Sequence, residues 1–101
     1  MKRIIHNTSF IIQEGIESQW LIFIREYLIK TIEDDKLCND IIFTKVSIDQ
    51  PDGKTYSLQL VFHSEPRQAE FVQNRLPQLI QKMYEQFGEQ CLYFNSILTE
   101  I

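Results

Sequence analysis

Apolar and polar residues alternate along residues 3–12, "RIIHNTSFII", which predicts a strand. Ile4, Thr8, Phe10 and Ile12 fall on one side, and Ile5, Asn7, Ser9 and Ile11 on the other. After a turn at "QEG" the period changes. From Ile16 to about Glu33, apolar residues recur at steps of three and four: Ile16, Trp20, Phe23 or Ile24, Tyr27 or Leu28, and Thr31 or Ile32. Glu17 stands in the first turn, where a negative charge suits the helix dipole. "EDDKLCND" is a polar exit loop. Residues 41–50, "IIFTKVSIDQ", alternate again, with Ile42, Val46 and Ile48 on one side and Phe43, Lys45, Ser47 and Asp49 on the other. "QPDGKT" is a hairpin turn signal. Residues 55–63, "TYSLQLVFH", then place Tyr56, Leu58, Leu60 and Phe62 opposite Ser57, Gln59, Val61 and His63.

The second half opens on Ser64, a good N-cap, with Pro66 in the first helical turn. An apolar stripe of Ala69, Val72, Leu76, Ile80, Met83 and Phe87 follows and runs straight through Pro77. Pro77 offers no N–H to the carbonyl of Gln73, and it pushes Leu76 away from helical backbone. Two helical segments are expected, 65–75 and 77–87, with Pro77 starting the second and Gly88 as a left-handed stop. Residues 90–99, "QCLYFNSILT", form a last strand, with Leu92, Phe94, Ser96 and Leu98 on one side and Tyr93, Asn95, Ile97 and Thr99 on the other.

The order β-α-β-β-α-β is the ferredoxin-like, split βαβ arrangement: one α+β domain over residues 1–101, with a four-stranded antiparallel sheet and both helical units on one face. The helix-facing sides are expected to be the more apolar, with Phe10, Val46, Leu58, Leu60, Phe62, Phe94 and Leu98. No helix remains for the other face. Its expected apolar members, Ile5, Ile11, Phe43, Val61 and Ile97, are more than a solvated face ordinarily carries. Covering those five is worth up to roughly 8–15 kcal/mol before association costs. A homodimer formed by two such faces is expected, and the interleaved Asn7, Ser9, Gln59, His63, Tyr93 and Asn95 then need hydrogen-bond partners or a ligand.

Charge and composition remove several function classes. The chain has 101 residues and a net charge of −4, with its Lys and Arg scattered except for Lys2-Arg3, so the basic face that displaces counterions from phosphate is missing. A base-stacking RNA platform of the same topology needs aromatics in the middle of strands one and three, where Asn7, Ser9, Gln59 and Val61 stand. No nucleic-acid partner is expected. No apolar run approaches the roughly 20 residues that span a bilayer, and His6, Asn7, Thr8 and Ser9 break up the apolar start that a secretory leader requires. Cys38 and Cys91 match neither a CxxC nor a zinc spacing, and read as reduced thiols of a cytoplasmic protein.

Several stretches resemble a small bacterial family, known chiefly from Bacteroidetes, of single ferredoxin-like domains of unknown function. They are Asn7 in the first strand, Trp20 early in the first helix, "TYSLQ", "LPQL", "YEQFG" and the aromatic strand "LYFNSILTEI". The resemblance extends to the wider dimeric α+β barrels, in which two sheets close over a shared cavity. It implies a homodimer, and in some relatives cofactor-free monooxygenase or haem-degrading activity. Haem-degrading relatives pair an Asn on strand one with a His on a helix. Asn7 fits the first role, but neither helix here holds a His, so no cofactor is expected.

Two functions follow as expectations. One is a homodimeric domain that binds a small molecule between its sheets. The other is a cofactor-free enzyme, a monooxygenase or isomerase acting on a small aromatic or quinone-like substrate, with His63, Tyr93 and Asn95 as its polar groups. His6 and His63 fall on opposite faces by alternation and do not make a metal pair, and the acidic run Glu33-Asp34-Asp35 reads as a solvated loop.

Overall fold

The computed structural model describes residues 2–47 and 53–101. Four strands, β1 (Ile4–Ile12), β2 (Asp40–Lys45), β3 (Lys54–Phe62) and β4 (Cys91–Thr99), form one antiparallel sheet in the order β2-β3-β1-β4. Two helical units, α1 (residues 17–34) and α2 (residues 65–87), lie on one face. The thinnest dimension is 18 Å, the depth of a sheet with a single helical layer. The sheet is open, with β2 and β4 as its edges. The expected end of the second strand (Ile48 to Gln50) and the turn centred on Pro51 and Asp52 lie outside the described residues.

The core forms where aromatic rings of β1, β2 and β3 meet α1. Trp20 is fully buried, 5.1 Å from the Phe10 ring and 4.9 Å from the Tyr56 ring. Phe43 stacks on Tyr56 at 5.6 Å and a 16° tilt. Phe71 of α2 meets Phe62 at 5.7 Å. The central strands present the sides their alternation predicts: Phe10 and Ile12 on β1, and Tyr56, Leu58, Leu60 and Phe62 on β3, are all buried.

Both helices contain a widened π stretch, Ile24–Ile29 in α1 and Phe71–Arg75 in α2. Their buried stripes explain it. The buried residues Ile16, just before α1, and Trp20, Ile24, Leu28 and Ile32 within it recur every fourth position, and in α2 Phe71, Leu79, Met83 and Phe87 are spaced by multiples of four. A strict four-residue step drifts by about 40° around an α-helix of 3.6 residues per turn, and a wider turn returns the stripe to the core. The α2 stripe is therefore rotated from expectation. Gln68, Phe71 and Leu79 are buried, Val72, Leu76 and Ile80 only half so, and Ala69 is exposed.

Pro77 does start a new α segment, Leu76–Phe87. The expected distortion of Leu76 does not occur, because Leu76 is helical at φ −56 and the departure falls on Arg75 at φ −112. The π stretch directly before the proline, closed by the Leu76 N–H donating to the Phe71 carbonyl, carries the chain into Pro77 without leaving helical backbone. Gly88 ends it at φ 57 and ψ −134, a positive φ as expected but an extended ψ rather than the left-handed helical one.

The edge strands correct the expectation most. On β2 it is Phe43 and Lys45 that face the helices, and Ile42 and Val46 that face away. Lys45 pairs with Glu17 at the start of α1 at 3.0 Å, and Tyr56 donates to the same carboxylate at 2.5 Å. On β4 the pairings Thr8↔Asn95 and Phe10↔Tyr93 put Tyr93, Asn95 and Ile97 on the helix side, so Leu92, Phe94 and Leu98 lie on the open face. Val46, Phe94 and Leu98 therefore do not join the core, and all three are exposed.

Candidate functional site

Strand register lays the open face out as a grid, because paired residues share a side. Four rows run across β2, β3, β1 and β4. They are Asp40–Val61–Ile5–Leu98, Ile42–Gln59–Asn7–Ser96, Thr44–Ser57–Ser9–Phe94, and Val46–Thr55–Ile11–Leu92. The four central positions, Gln59, Asn7, Ser57 and Ser9, are all uncharged and polar. The surrounding positions are mostly apolar, and Ile42, Leu92, Phe94 and Leu98 are prominent among the exposed ones. Protein interfaces ordinarily place the apolar material at the centre and the polar material at the rim. This face inverts that arrangement.

Asn7 is the hub of the polar centre. Its carbonyl oxygen accepts from the Ser57 hydroxyl at 2.8 Å, and its amide donates to the Ser9 hydroxyl oxygen at 3.4 Å. Among the described residues, the Gln59 side chain makes no hydrogen bond. The patch thus keeps amide and hydroxyl donors and acceptors in reserve, pointing away from the helices. It contains no titratable side chain. It can hold and orient a molecule, but it offers no acid or base for proton transfer near neutral pH.

The six residues expected to form one site separate. Asn7, Ser9 and Gln59 come together on the open face. Tyr93 and Asn95 lie on the opposite side of the sheet because β4 has the reverse phase. Thr8 donates to the Asn95 side-chain oxygen at 2.8 Å, so that amide serves the helix side. His63 falls just beyond β3, exposed, with its backbone N–H donating to the Asn39 side chain at 2.9 Å. The polar trio suggested for enzymatic chemistry therefore does not meet on this face. Alternation places Ser57 on this face without marking it as a site residue, and it puts Ser96 on the wrong side. Ser57 was legible as an odd-numbered β3 position, while Ser96 required the β4 phase.

A second polar group lies beneath α2. His6 is 2% exposed, packs edge-on to Phe71 at 5.9 Å, and has no hydrogen-bond partner at either ring nitrogen. Burial holds its imidazole below the ordinary histidine range. The nearby Asn95 amide opposes that shift without reversing it. Gln68, also buried, has an unpartnered amide nitrogen. Burial pushes the Cys91 thiol up to about 12 and the Cys38 thiol up to about 11, which suits packing rather than nucleophilic attack. Asp35 of the acidic run is taken up by Arg75 at 2.5 Å. Among the described residues, no group of three His, Cys, Asp or Glu side chains is placed to hold a metal, and no helix is long and apolar enough to cross a membrane.

No curated protein matches the sequence. Among solved structures, the chain is similar to a dimeric ferredoxin-like protein from an uncultured marine organism. The two share 8% identity with a TM-score of 0.65, over 99% of this chain and 95% of the other. It is also similar to the de novo designed protein Foldit4, at 7% identity and a TM-score of 0.58 over the whole of both chains. At such identities the likeness establishes the fold alone, ferredoxin-like α+β. Residues 3–101, from the residue before β1 to the end of the chain and so including the whole polar patch, match the profile described as "Domain of unknown function (DUF4286)", and the chain belongs to that family.

Proposed function

We propose that this protein is a self-associating binding module. Its open sheet face packs against the same face of a second copy and closes a pocket lined by Asn7, Ser9, Ser57 and Gln59 of both. The pocket holds a small uncharged molecule that both donates and accepts hydrogen bonds. The observation that carries the reading is the inverted face, a polar centre inside an apolar surround. Apolar residues such as Ile5, Ile11, Ile42 and Phe94 supply the driving force for contact. Polar groups left at the centre of a closed seam need partners, which a bound molecule or water supplies. The marine protein of the same fold is described as dimeric, which supports the same assembly here. The absence of a titratable group in the patch favours binding over proton-transfer chemistry.

The test is Gln59→Glu. Gln59 sits at the centre of the face, so the substitution places two like charges in the closed seam while the single chain keeps them solvated. Light scattering is expected to show the mass of the assembly halved with the far-UV circular dichroism unchanged. Native mass spectrometry of the wild-type protein from cells is expected to show a retained small molecule that the variant loses. An unchanged mass for Gln59→Glu overturns the seam. A wild-type assembly with no retained mass and no loss of bound compound in the variant overturns the pocket.

A further inference from the structure

We propose that the free edge of β4 is a second interaction surface, which pairs with the β4 edge of another copy to make a continuous eight-stranded sheet. The observations that carry it are the outward backbone groups of β4 and the contrast between the two edges, and only Leu92 and Leu98 are shared with the face-to-face seam.

The backbone shows which groups point outward. At one end of the β1–β4 pair the Glu100 N–H donates to the Arg3 carbonyl at 2.9 Å, and at the other the Gln13 N–H donates to the Gln90 carbonyl at 3.0 Å. Hydrogen-bonded pairs alternate along an antiparallel ladder, so the bonded pairs between these ends are those of Leu98, Ser96, Phe94 and Leu92. The backbone N–H and C=O groups of Tyr93, Asn95 and Ile97 therefore face away from β1, along an edge that has no strand beside it among the described residues.

The two edges of the sheet are unlike. β2 is six residues long and carries Asp40 and Lys45, the kind of short, charged edge that resists strand addition. β4 is nine residues long, has no charged residue and no proline, and pairs with β1 in unbroken register. It is apolar on both faces: Tyr93 and Ile97 are 40% and 57% exposed on the helix side, Leu92 and Leu98 52% and 45% on the other.

The occupant is specified by self-complementarity. A two-fold axis at Asn95 sets Tyr93 opposite Ile97 of the partner subunit and Leu92 opposite Leu98 of the partner subunit. Apolar pairs then meet on both faces, with Phe94 opposite Ser96 of the partner subunit between the Leu92 and Leu98 contacts, and the outward groups of Tyr93, Asn95 and Ile97 are all bonded. Moving the axis to Phe94 sets Tyr93 against Asn95 and Leu92 against Ser96. Moving it to Ser96 sets Asn95 against Ile97 and Leu92 against Glu100. The Asn95 axis instead brings Glu100 opposite the neutral Gln90, and Glu100 is already paired with Arg3 of its own chain at 2.8 Å. Added to the face-to-face seam, this contact gives four chains in two eight-stranded layers; alone, it gives a dimer.

Two experiments test the edge. Ile97→Lys places a charge in the edge contact without touching the open face, and sedimentation velocity is expected to show the mass of the assembly falling by a factor of two. A Tyr93→Cys/Ile97→Cys double variant is expected to form an intermolecular disulfide under mild oxidation, because directly opposed residues of such a pair lie about 5.5 Å apart at Cα. Peptide mapping distinguishes a 93–97 link from one through Cys38 or Cys91. An unchanged mass in Ile97→Lys, or no 93–97 link at concentrations where the wild type associates, overturns the proposal. If Ile97→Lys lowers the mass and Gln59→Glu does not, the edge stands and the face-to-face seam falls; the reverse result falls on the edge alone.

Discussion

Ile42→Asp tests the open face at the strand farthest from β4, so the edge contact plays no part in the outcome. Ile42 lies on β2 beside Gln59 and is 43% exposed in the single chain. Fully burying such a side chain is worth about 1.5–3 kcal/mol. Covering the exposed share therefore contributes about 0.6–1.3 kcal/mol per copy, and a two-fold seam counts it twice, about 1.3–2.6 kcal/mol. At about 1.4 kcal/mol per tenfold, that weakens self-association by roughly 8- to 70-fold. The figure is a floor, because an aspartate in a closed seam also costs desolvation. In the separated chain the position is an exposed edge, where substitutions change stability by about 0.5 kcal/mol or less. Sedimentation equilibrium across a dilution series measures the first quantity, and thermal melts at the most dilute point measure the second. A dissociation constant within about threefold of wild type refutes the reasoning, because threefold accounts for only about 0.65 kcal/mol, half of the smallest effect that burial predicts. A large drop in the melting temperature of the dissociated chain refutes it differently, by showing that Ile42 is already part of the core.

Three further outcomes follow from the fold. Burial lowers the His6 pKa below its ordinary 6.5, so between the folded and unfolded values the unfolded chain binds more protons. Stability is then complete above about pH 6.5 and falls as the pH drops below it, whereas the lowered pKa values of Glu17 and Glu100 act below 4.5. Urea titrations from pH 7.5 to 5 should show that loss, His6→Phe should flatten it, and a wild-type stability that is level over the interval contradicts the burial argument. Gly53 holds φ +143, and a Cβ there would run into the Ile12 carbonyl oxygen, so Gly53→Ala should destabilise by about 1–3 kcal/mol, and an unchanged melting temperature rules out the close approach. Pro77→Ala should cost no more than about 1 kcal/mol, a few degrees in melting temperature, because the backbone around Pro77 is already helical; a larger loss shows that the proline itself positions the second half of α2.

How far the sequence could be read depended on how many sides of a strand or helix the core touches. The central strands are flanked on both sides and covered on one face, so Phe10 and the run Tyr56, Leu58, Leu60 and Phe62 gave an unambiguous period of two. The element order, the boundaries near Ser64 and Gly88, and the polar central residues Asn7, Ser9 and Gln59 followed from the same signal. The edge strands did not follow it. "IIFTKV" and "CLYFNSIL" are apolar on both sides, so alternation admits two phases, and the more apolar-looking one was wrong for each. Lys45 turned inward to meet Glu17, and Asn95 to accept from Thr8, because their cross-strand partners on Tyr56 and Thr8 dictated the side. The π stretches were hidden as well, since a four-residue stripe becomes a geometric problem only when a flat sheet lies beneath it.

The sequence by itself determined a ferredoxin-like order of elements and an uncharged polar patch on its two middle strands. Only the tertiary structure decided that Tyr93, Asn95 and His63 stand away from that patch and that Leu92, Phe94 and Leu98 surround it on one flank. The physical reason is that a strand of mixed polarity takes its facing from the hydrogen-bond register of its neighbour, and register is a property of the assembled sheet rather than of any one segment.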